Sequence, residues 1–261
     1  MRVDLHNHTT RCNHATGSID EYIKRAIELG IDIYGFSEHA PIPSNLDKDY
    51  RLTFSQMSEY EADILHAKER YKDKIDIRLG YEVDYLKGYM DSRVLNTKVD
   101  YLIGSVHFLD KWGFDNPEYI GGWESRDIDD IWYEYFDAIE AMAKSGYFDI
   151  VGHLDLIKVF KYLPQKEIKL IAQNALKAIK KANMTIEING AGLRKPIKEL
   201  YPSKELLEIA YELDIPITFS SDAHSIEQIG FGYTQAIELA KSIGYTKAVT
   251  FEQRDRQLVI F

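Results

Sequence analysis

A chain of 261 residues with 45% hydrophobic and 28% charged residues has an ordinary globular composition, and no apolar run in it is long enough to span a bilayer. The formal net charge of −10, with Lys180-Lys181 and Lys195-Lys198 scattered among acids, gives no nucleic-acid surface. A single cysteine, Cys12, excludes an internal disulfide, and Arg2, Asp4 and His6 interrupt any secretory signal, so a cytoplasmic protein is expected.

Read in order, the chain alternates strand-like and helix-like segments as one domain over 1–261, with no repeat, low-complexity tract or long linker. Val3 to Leu5 predicts a first strand running into His6-Asn7-His8. Ser18 caps a helix whose stripe is Ile19, Tyr22, Ile23, Ala26 and Ile27, and Gly30 closes it. Ile31 to Ser37 is a second strand ending in Glu38-His39, and Pro41 and Pro43 then open a loop to about Leu52. Ser55 starts a helix with Met57, Tyr60, Ile64 and Leu65, followed by a strand from Ile75 to Tyr81 that leads into Glu82. A short helix near Asp91 to Leu95 precedes a strand from Asp100 to Val106 that ends at His107.

The segment from Phe108 to Asp127, rich in aromatics and glycine, reads as a long loop on the rim of a site. A helix with Ile128, Ile131, Trp132, Tyr135, Phe136, Ile139 and Met142 at the 3.6 period follows, and that stripe is core. Asp149 to Gly152 is a strand ending in His153; Ile168 to Ile179 is an amphipathic helix; Thr185 to Ile188 is a strand. Leu206 to Leu213 is a helix, Ile217 to Ser220 a strand ending in Asp222-Ala223-His224, Ile226 to Ile243 a last helix, and a terminal strand lies near Ala248.

About seven such β-α units in a chain of this length predict a parallel (β/α) barrel, in which right-handed crossovers bring all strand C-terminal ends to one rim. His6, His8, His39, His107, His153 and His224 all fall at or just past a predicted strand end, and His14 lies in the loop leaving the first strand. Only His66 is placed inside a helix, as a surface residue. Histidines kept for local structural reasons would not select one end of every strand. Glu82 and Asp222 belong to the same rim, and the same-face spacing of His6 with His8 and of Asp222 with His224 suits chelation. Nine donors are too many for one ion, so two or three divalent ions are expected. Mixed imidazole and carboxylate donors suit zinc, iron or manganese, and several ions on one rim suit hydrolysis at phosphorus. Cys12 has no partner base in sequence and is not counted among the donors.

The succession His6-x-His8, His14, Ser37-Glu38-His39-Ala40-Pro41, Gly80-x-Glu82, Gly104-Ser105-Val106-His107, Gly152-His153 and Ser221-Asp222-Ala223-His224 resembles the polymerase and histidinol phosphatase (PHP) family, from end to end. The resemblance implies an α/β fold, a distorted (β/α)7 TIM-like barrel, with a trinuclear metal centre on the C-terminal rim. It implies one ion on His6, His8, Glu82 and Asp222, a second on Glu82, His107 and His153, and a third on His14, His39 and His224. Glu82, Asp222 and His8 are on this reading the residues closest to catalysis. It also implies a phosphomonoesterase acting on L-histidinol phosphate in histidine biosynthesis. Water bridging two such ions would supply hydroxide near neutral pH, and its direct attack, with no residue in the motifs suited to accept phosphate, predicts inversion at phosphorus. A phosphodiesterase or exonuclease, or a phosphatase of another small phosphate ester, is the alternative. Basic residues near the phosphate are expected by the same resemblance, with Arg194, Lys158 and Lys161 as candidates, and the substrate's imidazole is expected towards the aromatic loop from Phe108 to Trp123. The partner is thus a small phosphate ester; neither the metal nor the oligomeric state is readable.

Overall fold

The computed structural model describes all residues from Met1 to Phe261. Seven parallel strands follow one another around a single sheet in chain order: β1 (Val3–Asp4), β2 (Ile33–His39), β3 (Asp76–Asp84), β4 (Tyr101–Ser105), β5 (Ile150–Val151), β6 (Thr185–Asn189) and β7 (Ile217–Ser220). The ring closes where Leu5 N donates to Phe219 O at 3.0 Å and His8 N donates to Ala223 O at 3.0 Å. Strands as short as 2 residues beside one of 9 make the barrel uneven. The expected fold class is the one observed.

Helices α1 (Ile19–Glu28), α2 (Met57–Tyr71), α3 (Ser92–Leu95), α4 (Ile128–Ser145), α5 (Ile168–Lys181), α6 (Lys204–Glu212) and α7 (Tyr233–Ile243) occupy the connections. Their starts follow local chemistry. Ser18 and Glu21 form a reciprocal capping box on α1, and Gly146 ends α4 in the left-handed region at φ 72. The predicted stripe of α4 is buried throughout from Ile131 to Met142, which confirms it as core.

Inside the barrel, Tyr101 lies across the floor and donates its hydroxyl to Leu5 O at 2.5 Å. A Cβ at Gly35 or Gly80 would come within 2.0 or 2.5 Å of that side chain, so the two neighbouring strands carry glycine to let the ring pass. Tyr101 packs in one cluster with Ile33, Ile103, Ile150 and Ile217, and this cluster continues into Val249, Phe251 and Val259.

Several boundaries differ from the sequence reading. β2 and β3 run on through His39 and Asp84, so Glu82 sits within a strand, in register with His39. A 3-10 turn at Phe54–Gln56, capped by Thr53, precedes α2, so that helix starts at Met57 and not Ser55. The aromatic segment is not a plain loop: Phe108–Leu109 pairs with Trp112–Gly113, and a 3-10 stretch covers Pro117–Trp123. The last helix is interrupted, because Gly230 and Gly232 adopt positive φ between a turn at Ile226–Gln228 and α7. The terminal strand belongs to an antiparallel hairpin, Lys247–Glu252 with Asp255–Ile260, outside the barrel sheet. Gln253 N and Arg254 N donate to Asp100, just before β4, so the hairpin sits at the opposite end from the histidines. No helix is long and apolar enough to cross a membrane.

Candidate metal centre

The strand ends deliver one compact set of donors around Glu82. Its Oε2 lies 2.9 Å from His39 Nδ1, 3.2 Å from His6 Nε2 and 3.6 Å from His8 Nε2. Its Oε1 lies 2.9 Å from His153 Nε2 and 3.5 Å from His107 Nε2, and accepts from Ser105 Oγ at 2.7 Å. Asp222 Oδ1 faces His8 Nε2 at 3.4 Å from the far side. The rings of His39 and His224 stack on His8 with centroids 4.2 and 4.1 Å away, and His14 stacks on His224 at 4.6 Å. The structure therefore brings together all nine predicted donors, while His66 is exposed on α2.

Donor atoms converge in distinct groups: His6, His8 and Asp222; Glu82, His107 and His153; His8, His39 and His224; and Cys12, His14 and His224. The first two match two of the expected sets, with Glu82 beside the first and within the second. The third differs in part, since His39 and His224 close on His8 while His14 reaches only His224 and Cys12. The Cys12 thiol donates to Thr9 O at 3.1 Å, and burial pushes its pKa up to about 12, which holds it as a thiol.

The residues fit divalent ions. His6 Nε2, His8 Nε2, His39 Nδ1 and His224 Nε2 are buried and have no hydrogen-bond partner. Buried imidazole nitrogens left without partners cost free energy unless something accepts their lone pairs, and here they point at one another and at carboxylates. Imidazole with carboxylate suits zinc, iron or manganese.

A second layer fixes the rings. His6 Nδ1 donates to Glu187 at 2.9 Å, His8 Nδ1 to Glu38 at 3.3 Å and His107 Nδ1 to Asp84 at 2.6 Å. Backbone carbonyls do the same for His14 and His224, through Cys12 O at 2.8 Å and Asp222 O at 3.2 Å. Each of these five rings thus carries its proton on Nδ1 and turns Nε2 inward, whereas His39 turns Nδ1 to Glu82. The acids are held in turn: Glu187 accepts from His153 N and Ser220 Oγ, both at 2.6 Å, Glu38 from Thr9, and Asp84 from Arg51 at 2.9 Å. Sequence reading gave these three acids no role. Glu187 could have been found as the carboxylate amid the apolar residues of β6, two positions from Asn189 and on the same face.

The electrostatics follow from burial opposed by opposite charge. Burial disfavours the charged form of His8, but the facing carboxylates of Asp222 and Glu38 outweigh it and bring the pKa to about 9. Burial is likewise overcome at His107 by Asp84 and Glu82, which bring it to about 10. His39 is lowered to about 4 by burial and by the charge on His8. Glu82, although buried, is held well below the carboxylate range by His6, His39 and His107.

Of the basic candidates, only Arg194 borders the cavity of about 400 Å³ over this centre. Its Nη2 donates to Ser221 O at 2.9 Å and Asp222 O at 2.8 Å, while its Nη1 is buried without a partner. Lys158 is corrected: it is buried, paired with Asp155 and Glu199 at 3.0 Å each, and donates to Leu200 O. Lys161 is exposed and does not border the cavity. Lys195, one of the basic residues scattered among acids in the sequence, does line it. In the aromatic segment Phe108 and Tyr119 border an adjoining cavity, whereas Trp123 is core, stacked on Tyr162 at 4.8 Å.

The family model described as the PHP domain matches residues 4–191, and one described as PHP-associated matches residues 204–242. The chain is 37% identical over 257 residues to a "Probable histidinol-phosphatase" of Deinococcus radiodurans, covering 97% of this chain and 98% of that one. It is 30% identical to the histidinol-phosphatase of Bacillus subtilis, covering 91% and 99%. In fold it is similar to a histidinol phosphate phosphatase of Lactococcus lactis, solved with zinc, L-histidinol and phosphate, with a TM-score of 0.79, 21% identity and 98% of both chains covered. With the family model spanning most of the barrel and relatives of this identity matched over nearly their whole length, the chain belongs to the PHP family.

Proposed function

We propose that this chain is a metal-dependent phosphomonoesterase that hydrolyses L-histidinol phosphate to L-histidinol and phosphate. The observation that carries the reading is Glu82, whose two carboxylate oxygens face different sets of imidazole nitrogens, the disposition of an acid shared by two ions. We assign His6, His8, Glu82 and Asp222 to one ion, Glu82, His107 and His153 to a second, and His39, His224 and His14 to a third. The ions are two or three of zinc, iron or manganese. Divalent ions held there supply water of lowered pKa and neutralise charge around phosphorus.

The chain's own groups do the rest. Glu38, Glu187 and Asp84 keep the ring protons on Nδ1, so the inward nitrogens stay free. Arg194 offers its free Nη1 to a phosphate oxygen, and Lys195 adds a point charge at the cavity edge. The segment at 204–242 leads into β7, Asp222 and His224, which complete the ring and the donor set, so we read residues 1–261 as one domain. The buried, reduced Cys12 is in keeping with a cytoplasmic protein. Phosphate release from histidinol phosphate, measured beside hydrolysis of a bis(nitrophenyl) diester by the same metal-loaded preparation, tests the reading. Preference for the monoester is expected, and preference for the diester would overturn it.

A further inference from the structure

The cavity over Glu82 meets a second one, of about 410 Å³, that runs outward and is walled by Tyr50, Phe108 and Tyr119. His14, His39, His107 and Asp115 border both, which makes Asp115 the carboxylate at the junction. The other buried acids around the centre are committed: Glu38, Asp84 and Glu187 hold ligand rings, Asp4 accepts from Ser221 and Asn7, and Asp155 pairs with Lys158. Asp47, on the outer cavity, pairs with Arg51. The Asp115 side chain is half-buried, has no ion pair and no hydrogen bond to another residue, only to its own backbone N–H, and it belongs to none of the converging donor groups. Lys195 shares the wall of the inner cavity without pairing with it.

A carboxylate partly removed from water, set between the proposed phosphate-binding centre and an aromatic groove, lacks a cation. Burial raises its pKa against the pull of His107, His153 and Lys195, as expected of an acid whose charge is not yet matched. We propose that Asp115 binds the ammonium group of the substrate, so that the site selects phosphate monoesters of amino alcohols over esters of the same size without an amine. The inference rests on the phosphomonoesterase reading above. It deepens that reading by naming the residue that reads the organic half of the substrate, with the groove of Tyr50, Phe108 and Tyr119 taking the ring beyond the amine.

The test compares 2-aminoethyl phosphate with ethyl phosphate, and histidinol phosphate with its deamino analogue, for the metal-loaded wild type and for Asp115→Asn. The wild type is expected to favour each amine-bearing ester. Asp115→Asn is expected to lose roughly tenfold to a hundredfold in kcat/KM on the amine-bearing esters, the range for a charged hydrogen bond, while the amine-free esters and the metal content stay unchanged. An equal loss on both members of a pair would overturn the proposal and mark Asp115 as a proton donor to the leaving alkoxide or as structural. Loss of metal would overturn it in favour of a role at the ions, and unchanged kinetics would mean that Asp115 reads nothing. A wild type that prefers the small aminoethyl ester to histidinol phosphate would refute the histidinol reading and leave the amine-reading role standing.

Discussion

Glu187→Gln isolates the second layer of the metal centre. Glu187 Oε1 accepts from His153 N at 2.6 Å and from Asn189 Nδ2 at 2.9 Å, while Oε2 faces His6 Nδ1 at 2.9 Å and Ser220 Oγ at 2.6 Å. A glutamine whose carbonyl takes the Oε1 place keeps the first two bonds, and its amide can donate to Ser220. At His6 that amide meets Nδ1–H donor to donor. The ring proton must then move to Nε2, the nitrogen that faces Glu82 at 3.2 Å and is needed as a ligand. Losing an outer partner of this kind costs about tenfold to a hundredfold in metal affinity, or about 1.4–2.7 kcal/mol. Glu187→Ala differs, because it strips the acceptor from four buried donors at once and costs about 4 kcal/mol of stability even at roughly 1 kcal/mol each. Zinc titration of the metal-free protein against a chromogenic chelator reads the first effect, and urea unfolding the second. A folded Glu187→Gln protein that binds zinc within about twofold of wild type would refute the tautomer argument.

Glu82→Ala should lose ions from two of the proposed sites and abolish turnover, while His66→Ala should match wild type in metal content by mass spectrometry and in rate. Arg194→Ala should lower kcat/KM by about 1.5–3 kcal/mol with its ions retained; Lys158→Ala should instead lose about 3–5 kcal/mol of stability in denaturant, because it leaves the buried Asp155 unpaired. Metal-free protein holds His8 and His107 at about 9 and about 10, above the usual 6.5, so both carry protons at about pH 7.5 and must release them to bind ions. Calorimetry in buffers of different ionisation enthalpy should show that release, shrinking as pH rises towards 10. The stability these two charges give the metal-free protein is complete below pH 6.5 and is lost as pH climbs through their raised values.

The donor set was legible because ligands at strand ends leave a repeating mark, an apolar run followed by histidine or an acid, that survives without knowledge of contacts. What stayed hidden depends on tertiary neighbours. Glu38 and Asp84 flank candidate donors inside strands, and only the register that sets His39 beside Glu82 shows which acid joins the donor cluster and which meets a ring. Lys158 and Lys195 are indistinguishable as sequence, yet one falls between Asp155 and Glu199 and the other on the cavity wall. The grouping of His14 likewise turns on where its loop comes to rest, which no spacing encodes. The terminal strand carries a buried run from Ala248 to Phe251 as a barrel strand would, but β1 and β7 already close the ring, so it covers the barrel's other end.

Arg194 joins the two halves of the site. Asp222 sits in the left-handed region at φ 52, where a non-glycine residue pays for its conformation unless its surroundings hold it. The two bonds from Arg194 Nη2, to Ser221 O and Asp222 O, grip that bend on either side of its peptide unit. The same guanidinium borders the cavity and leaves Nη1 buried without a partner, and the Phe231 ring lies 5.1 Å from its carbon. A rigid planar fork can anchor with one nitrogen and present the other, which a lysine ammonium on a flexible stem cannot do in the same geometry. The group proposed to meet the phosphate therefore also steadies the backbone bend that carries Asp222, while the Asp222 carboxylate keeps its own contacts with His8 and Asn189, so the bend and the substrate share one side chain at the strand that closes the barrel.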